Sequence, residues 1–435
     1  MVAVVSACAT TSRYGQTNAA VFYQETDPEA LPEYRIFHTS DGLSRLYFKI
    51  PAANLLYISK GEATYTARIQ IQYVILPEMN NIQVLDSGSV DLADQRVNPN
   101  EGTLMGYVEI KTPARPPLNK LVAVVTLRDL NRKTERTLVL DISRKNHQDR
   151  QFFLITDTTG YPQMTDQIQL RQPLRIAHTR PEVRHLKVRY YQRKFPVAEP
   201  PYSDVVIKSF KYEADSTYDL DIAQTVSFDM PGFYHLQLND TLRNGLTLFH
   251  FGTYFPNVGV GSDLGGPLRY ITNNREFEYI SKKASDSTRL AAEQFWLRAA
   301  GNAERARIAI KEYYSRVELA NRFFTSYVEG WKTDRGMMYI IYGPPTTVYQ
   351  TPVGETWVYG AENSILPYQF KFIKVENPFS NNDFELTRMS SARYGWGKAI
   401  ESWRSGRPYS SRDIKREQDE REQQNRLQQR PAFWY

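Results

Sequence analysis

One cysteine, six histidines and a short run of acids beside arginine are the residues of this 435-residue chain with chemistry to offer. Cys8 closes Val5-Ser6-Ala7-Cys8, in which narrow side chains precede a single thiol. A signal peptidase cleft needs narrow side chains, and acylation needs a nucleophilic thiol to take the diacylglycerol, so this order reads as a lipobox with Cys8 as the lipidation site. Each buried CH₂ of an acyl chain contributes about 0.8 kcal/mol, and two or more chains hold stably where one is marginal. Met1 leaves no room for a basic n-region and an apolar h-region of about 7–15 residues, so the reading expects residues 1–8 to be the remnant of a longer signal. The alternative is an ordinary buried thiol, although the polar stretch from Thr10 to Asn18 offers little to bury it in. No acidic cluster follows Cys8, which favours a periplasm-facing molecule over a surface-exposed one.

Asp334, Arg335 and Glu355 are the second candidate group. Two carboxylates can divide acid and base roles when their surroundings separate the two pKa values. All six histidines (38, 147, 178, 185, 235 and 250) precede this region, so it can build neither a Ser-His-Asp triad nor a His-ligated metal site from its own residues. His178 and His185 lie seven apart across Pro181 and lack the i, i+4 spacing of a helical metal pair. His235 alternates outside the Tyr234, Leu236 and Leu238 face, which predicts a solvent-facing strand position. A lone cysteine excludes an intramolecular disulfide and a CxxC zinc or redox motif. The glycines between Gly259 and Gly266 run into Pro267-Leu268-Arg269 where a P-loop has Gly-Lys-Ser/Thr, so a linker is expected there. No metal and no cofactor is expected.

The elements that must position these groups begin with strands. Lys+Arg 54 against Asp+Glu 48 leaves a charge of +6, small beside so many charges of both signs, and nucleic-acid binding is not implied. No run approaches the ~18 apolar residues of a membrane-spanning helix. From about Leu31 to Ile142 the periodicity is two, clearest where Tyr65, Ala67, Ile69, Ile71, Tyr73 and Ile75 share one face between Thr64 and Leu76. Leu121–Arg128 and Thr137–Ile142 flank the polar turn Asp129-Leu130-Asn131-Arg132-Lys133. Strand patterns restart at Phe152–Thr156, Pro173–His178, Leu186–Gln192, Val205–Phe210 and Thr225–Phe228, and close with an alternating run after Pro231-Gly232. This predicts two immunoglobulin-like antiparallel β-sandwiches.

Helix follows Ser285. One helix is expected over Thr288–Ala300, closed by Gly301, and an amphipathic one over Ala303–Val328 with Ile310, Tyr313, Val317, Ala320, Phe324 and Val328 on its apolar stripe. The division expected is a signal remnant and lipobox over 1–8, a tether over 9–30, and sandwiches over 31–150 and 151–256. A linker over 257–285, a helical hairpin on a small antiparallel sheet over 286–397, and a charged Gln-rich tail over 398–435 complete it. The tail ends in Phe433, Trp434 and Tyr435, which are candidate partner contacts or else fold back on the chain.

The second helix runs into Gly330-Trp331-Lys332-Thr333-Asp334-Arg335-Gly336, then Tyr342-Gly343-Pro344-Pro345 and Glu355-Thr356-Trp357-Val358-Tyr359. This order resembles the GWxTD domain of bacterial proteins, many of them from Bacteroidota, over roughly Leu290 to Leu386. The resemblance implies an exported protein, often a lipoprotein, and implies no established chemistry. Physically the motif reads as a structural junction. Gly330 is placed at the C′ position of the helix, Trp331 packs back on the last helical turn, and Thr333 and Asp334 bond nearby backbone N–H groups. Gly336 opens a strand over Met337–Tyr342, which Gly343-Pro344-Pro345 stops. Trp357 and Tyr359 share a face of the next strand.

The function expected is that of a non-enzymatic, lipid-anchored cell-envelope protein at the outer membrane, a scaffold or accessory subunit of an assembly or secretion complex with a protein partner. Glycan or peptidoglycan binding through aromatic platforms is the alternative, and a carboxylate-based hydrolase the lesser one. The 29 Tyr and 21 Phe suit a contact surface, where aromatics are enriched.

Overall fold

Alternation in the Tyr65–Leu76 strand sets the first core. Ala67, Ile69, Ile71 and Ile75 are buried on one face, with Arg68 exposed on the other. The computed structural model describes residues 18–24, 31–59, 61, 63–78, 81, 83–112, 120–144, 146–205, 212–241, 243–259, 261–283, 285–351, 353–360 and 368–428. Cys8, Phe433, Trp434 and Tyr435 lie outside these residues, as does all but Val205 of the strand expected over Val205–Phe210. The described residues divide into two units, one drawing on 31–193 and 212–253, the other on 18–24, 194–205 and 254–428.

The first unit opens with β1 (Glu33–His38), β2 (Leu43–Pro51), β3 (Ile58–Ser59), β4 (Tyr65–Leu76), β5 (Asp86–Arg96), β6 (Thr103–Lys111), β7 (Lys120–Asp129) and β8 (Thr134–Ser143). β1, β2 and β6 form one sheet; β3, β4, β7 and β8 form the other, with β5 also paired to β4. Phe48, Ile50 and Ile110 from one sheet meet Ile69, Ile71 and Val125 from the other. The turn expected after β7 is held by Asp129, whose carboxylate accepts from the backbone N–H of Asn131 at 3.0 Å and of Arg132 at 2.9 Å.

A second, smaller core comes next. β9 (Phe153–Thr156) pairs with β10 (Arg175–His178), and β11 (His185–Tyr191), β12 (Ser216–Asp221), β13 (Gly232–Gln237) and β14 (Leu246–His250) form a sheet in the order β12-β11-β13-β14. Residues 225–228, expected as a strand, contribute a single bridge from Val226 to Leu174. Arg35 of β1 is tied to Asp166 at 2.8 Å, and Arg150 also pairs with Asp166, so one buried carboxylate fastens the two sandwiches. Burial pushes the Asp166 carboxyl up, but Arg150 and Arg35 overcome that and hold it below the ordinary carboxylate value.

His235 is fully buried, contrary to the solvent-facing reading. Its ring bonds Thr247 Oγ1 at 2.9 Å and the Arg243 carbonyl at 2.8 Å, because the loop before β14 folds over that face of the sheet. Gly245 lets the loop approach: a Cβ there would lie 3.0 Å from the imidazole.

The second unit is helical around one sheet. α1 (Gly261–Gly265), a 3₁₀ turn (Gly266–Tyr270) and α2 (Asn274–Ser281) occupy most of the stretch expected as a linker over 257–285. Asn273 and Glu276 form a reciprocal capping box that starts α2. α3 (Ser285–Ala300) ends at Gly301, whose φ of 74° is the left-handed stop expected. α4 (Ala303–Phe324) ends four residues before the expected Val328, and α5 (Asp334–Tyr342) is a helix where a strand was expected over Met337–Tyr342. Strands β15 (Thr347–Thr351), β16 (Gly354–Tyr359), β17 (Tyr368–Lys374) and β18 (Phe384–Leu386) make an antiparallel sheet in chain order. α6 (Ala392–Arg404) and α7 (Ser411–Gln428) close the unit. The tail expected from 398 onward is thus largely helical as far as described, and Ile414 and Gln418 on α7 are buried.

The expected tether over 9–30 is also docked where it is described. Residues Ala19–Tyr23 form a 3₁₀ turn beside β15, with Ala19, Ala20 and Tyr23 buried. Asn18 Oδ1 accepts from Val348 N–H at 2.9 Å and Asn18 Nδ2 donates to the Thr346 carbonyl at 2.9 Å. This strap therefore satisfies backbone groups on the edge strand of the sheet.

Candidate functional site

All nine residues of α5 are buried, so its ends have no water to satisfy them. A helix in that position needs polar side chains brought to it, and the Gly330–Tyr359 region supplies many of them. Thr333 caps the N-terminus: its Oγ1 accepts from Gly336 N–H at 3.1 Å and donates to the Gly330 carbonyl at 2.8 Å. At the other end, Arg316 Nη1 donates to the Ile340 carbonyl at 3.2 Å and Trp403 Nε1 to the Ile341 carbonyl at 3.0 Å. Gly343 then leaves the helix at a φ of 77°, donating its N–H to the Tyr339 carbonyl at 2.8 Å.

Three acids and two arginines surround the start of α5. Asp334 takes a two-pronged contact from Arg388, with Nη2 to Oδ1 at 2.7 Å and Nη1 to Oδ2 at 3.3 Å, plus the Leu386 N–H at 2.7 Å. Burial pushes the Asp334 carboxyl above the ordinary value while Arg388 pulls against it. Arg335 stacks over Phe384 at 3.7 Å, donates to the Asn382 backbone and side-chain oxygens, and reaches Glu355 Oε1 at 3.3 Å. Glu355 also accepts from Trp357 Nε1 at 2.9 Å, Gln350 Nε2 at 3.3 Å and Tyr23 Oη at 3.3 Å. Asp383 stands nearby, its carboxyl raised to about 6 by burial against the pull of Asn377, with Glu385 adding to the rise.

The structure thus brings Arg335 and Glu355 together but gives Asp334 a different arginine. Asp334 and Glu355 do not act as an open carboxylate pair: each has its oxygens engaged by protein donors. Among the described residues no group of three or more His, Cys, Asp or Glu is arranged to hold a metal ion.

The glycines act through space more than through conformation. A Cβ on Gly330 would lie 2.0 Å from the Ala320 carbonyl oxygen, and one on Gly336 would lie 1.9 Å from that of Gly330. Gly330 therefore is not the left-handed C′ residue expected; it permits a chain crossing against α4. Trp331 is half-buried, and its ring lies over the 3₁₀ turn at Gly266 with Tyr270 edge-on at 6.3 Å. Trp357 and Tyr359 share the inner face of β16 as expected, both fully buried, and Tyr359 Oη donates to the Gly343 carbonyl at 3.1 Å. Pro345 is buried, and its carbonyl accepts from Gln24 Nε2 at 2.8 Å, while Pro344 is half-buried. Tyr342 packs among Tyr359, Phe370, Trp396 and Tyr409, and its hydroxyl makes no hydrogen bond among the described residues.

Sequence reasoning missed Tyr23, Arg316, Asn321, Asn382, Arg388 and Trp403. Arg316 and Asn321 carried a faint signal, since each stands one position from the apolar stripe of α4 and both are buried. Asn321 Oδ1 accepts from Trp331 N–H at 3.1 Å and its Nδ2 donates to the Pro256 carbonyl at 2.9 Å. Tyr23 carried none. Its ring lies 5.3–5.5 Å from those of Phe323, Phe324 and Trp357, and its carbonyl accepts from Tyr339 Oη at 2.9 Å.

No curated protein matches the chain. A family model does match, over residues 232–405, a span wider than the 286–397 expected because it begins in β13. That model describes the GWxTD domain, whose naming residues are the ones that seat α5, and the chain is a GWxTD domain-containing protein.

Proposed function

We propose that this protein is a non-enzymatic scaffold or accessory subunit of the cell envelope, anchored by lipid at Cys8 on the periplasmic side of the outer membrane and bound to an assembly or secretion complex there. One observation carries the reading: the polar residues of the GWxTD signature are engaged in holding a buried helix. Thr333, Asp334, Arg335 and Glu355 have protein partners for their side chains. A family signature that builds a fold, joined to two β-sandwiches, suits a protein whose work is to present surfaces. The lipobox-like Val5-Ser6-Ala7-Cys8 supports the proposed location.

Metabolic labelling with a fatty acid, using the gene with its native start beside a Cys8→Ser variant, tests the anchor. Label that disappears in the variant supports it; equal absence of label in both overturns it. Native-gel migration of detergent-solubilised membranes tests the partner. A band well above the mass of the single chain, dissolved by deleting residues 431–435 or by disrupting one sandwich face, supports an accessory subunit; migration as the free chain overturns it.

A further inference from the structure

The sheet of the second unit has two unlike faces. Its inner face buries Val348, Trp357, Phe370 and Phe372 against the helices. On its outer face, cross-strand register aligns Tyr349 with Thr356 and Lys371, and Thr351 with Gly354, Ile373 and Glu385. α7 packs against β16 near Gly360, and Val358 at that end is buried. The opposite end is open: Tyr349 is 47% exposed, Ile373 49%, and Val353 in the β15–β16 turn 69%. Water-facing apolar groups are ordinary singly, but a group gathered on one sheet end calls for an occupant.

The chain itself indicates which. Asn18 is fixed to the edge of β15 through Val348 N–H and the Thr346 carbonyl. Ten residue steps separate Asn18 from Cys8, and an extended chain spans at most about 3.3–3.6 Å per residue, so about 35 Å is the longest reach. A lipid on Cys8 would therefore hold β15 within about 35 Å of the headgroups. Tyrosine is favoured at the headgroup level, where its ring meets acyl chains and its hydroxyl meets water, and Lys371 can meet anionic headgroups.

We propose that the outer face of the β15–β17 sheet, through Tyr349, Val353 and Ile373, docks on the lipid surface to which Cys8 is attached. This rests on the lipid-anchor reading above. The anchor supplies proximity, and the sheet face supplies orientation, so the GWxTD domain lies on the membrane instead of swinging from it.

The test replaces residues 1–8 with a hexahistidine and binds the full remaining chain to phosphatidylethanolamine/phosphatidylglycerol vesicles carrying a nickel-chelating lipid. This mimics the anchor whether or not Cys8 is acylated in cells. Val353→Cys carries a nitrobenzoxadiazole dye, and Ile308→Cys, an exposed position on α4, carries it as control. Docking predicts a blue-shifted emission and a several-fold slower reduction by dithionite at 353 than at 308. Adding Tyr349→Ser and Ile373→Ser to the Val353→Cys chain should restore rapid reduction. Equal reduction at both sites, or protection that survives the two serines, overturns the proposal. Protection at 353 without fatty-acid label in cells would leave the docking face standing and remove the natural anchor; label with equal reduction would do the reverse.

Discussion

Removing the Tyr23 hydroxyl is a sharp probe of the second unit, because Tyr23 reaches the Glu355 network from more than 300 residues away in sequence. In Tyr23→Phe, Glu355 loses one of its donors and keeps Arg335, Gln350 and Trp357. A hydrogen bond to a charged group contributes about 1.5–3 kcal/mol, and the contacts here are long at 3.3 and 3.5 Å, so about 1 kcal/mol is expected. Tyr23→Ala also empties the space between Phe323, Phe324 and Trp357, which costs about 3–5 kcal/mol for a large aromatic in a closed site. The strap can instead detach, so its own docking free energy is the ceiling, and Tyr23→Ala should cost no more than deleting residues 18–24. The assay has a built-in reporter. All six tryptophans (296, 331, 357, 396, 403 and 434) come after residue 295, so tryptophan fluorescence during thermal unfolding tracks the second unit. At roughly 2–4 °C per kcal/mol for a unit of this size, Tyr23→Phe should lower that midpoint by about 2–4 °C and Tyr23→Ala by about 6 °C or more. Unchanged midpoints in both variants would refute the docked strap.

Gly330→Ala sets a Cβ 2.0 Å from the Ala320 carbonyl and should lower the same fluorescence midpoint severely, by a loss of ~3 kcal/mol or more; a shift under 2 °C would contradict the crossing described. Tyr342→Phe removes a buried hydroxyl that has no hydrogen bond among the described residues, so its melting temperature should match or exceed that of the parent, and a clear drop would show a missed partner. His235 is pushed down to about 4 by burial, below its unfolded value of about 6.5. The unfolded chain therefore binds the extra proton first as pH falls, and stability present above pH ~6.5 should decline by about 2–3 kcal/mol on approaching pH 4. Circular dichroism melts of the parent and His235→Gln across that range check this: a pH slope identical in both would rule His235 out as a source.

Much of the first unit is legible in its sequence because β strands with one buried face alternate visibly, as Ala67 to Ile75 do, and because Asp129 advertises its turn. The motif's capping chemistry was equally readable at Thr333, whose short oxygen-bearing side chain takes the nearby Gly336 N–H; Asp334 takes the N–H of Leu386, 52 residues on, which no local pattern announces. The helix they start was not readable. Met337–Tyr342 is a short apolar run, and when every face of an element is buried no periodicity separates strand from helix. The Thr-Asp pair ahead of it, a cap with an acid in the first turn, was the better signal. His235 misled because a strand's outer face says nothing about a loop that later covers it. Tyr23 and Arg388 were invisible for a different reason: their partners are set by long-range packing, which leaves no local pattern.

The strap also bears on the order in which the molecule can be completed. Residues 18–24 leave the ribosome first, yet their seat at Thr346, Val348, Glu355 and Tyr339 is made more than 300 residues later. At about 5–20 residues per second, that is a delay of tens of seconds during which Tyr23 has nowhere to dock. The sandwiches can form meanwhile from neighbouring strands. The strap must then close a circuit spanning most of the chain, a step slowed by the search for so distant a partner. A fragment starting at residue 254 would carry all seven α-helices among the described residues and still lack the aromatic that fills its core.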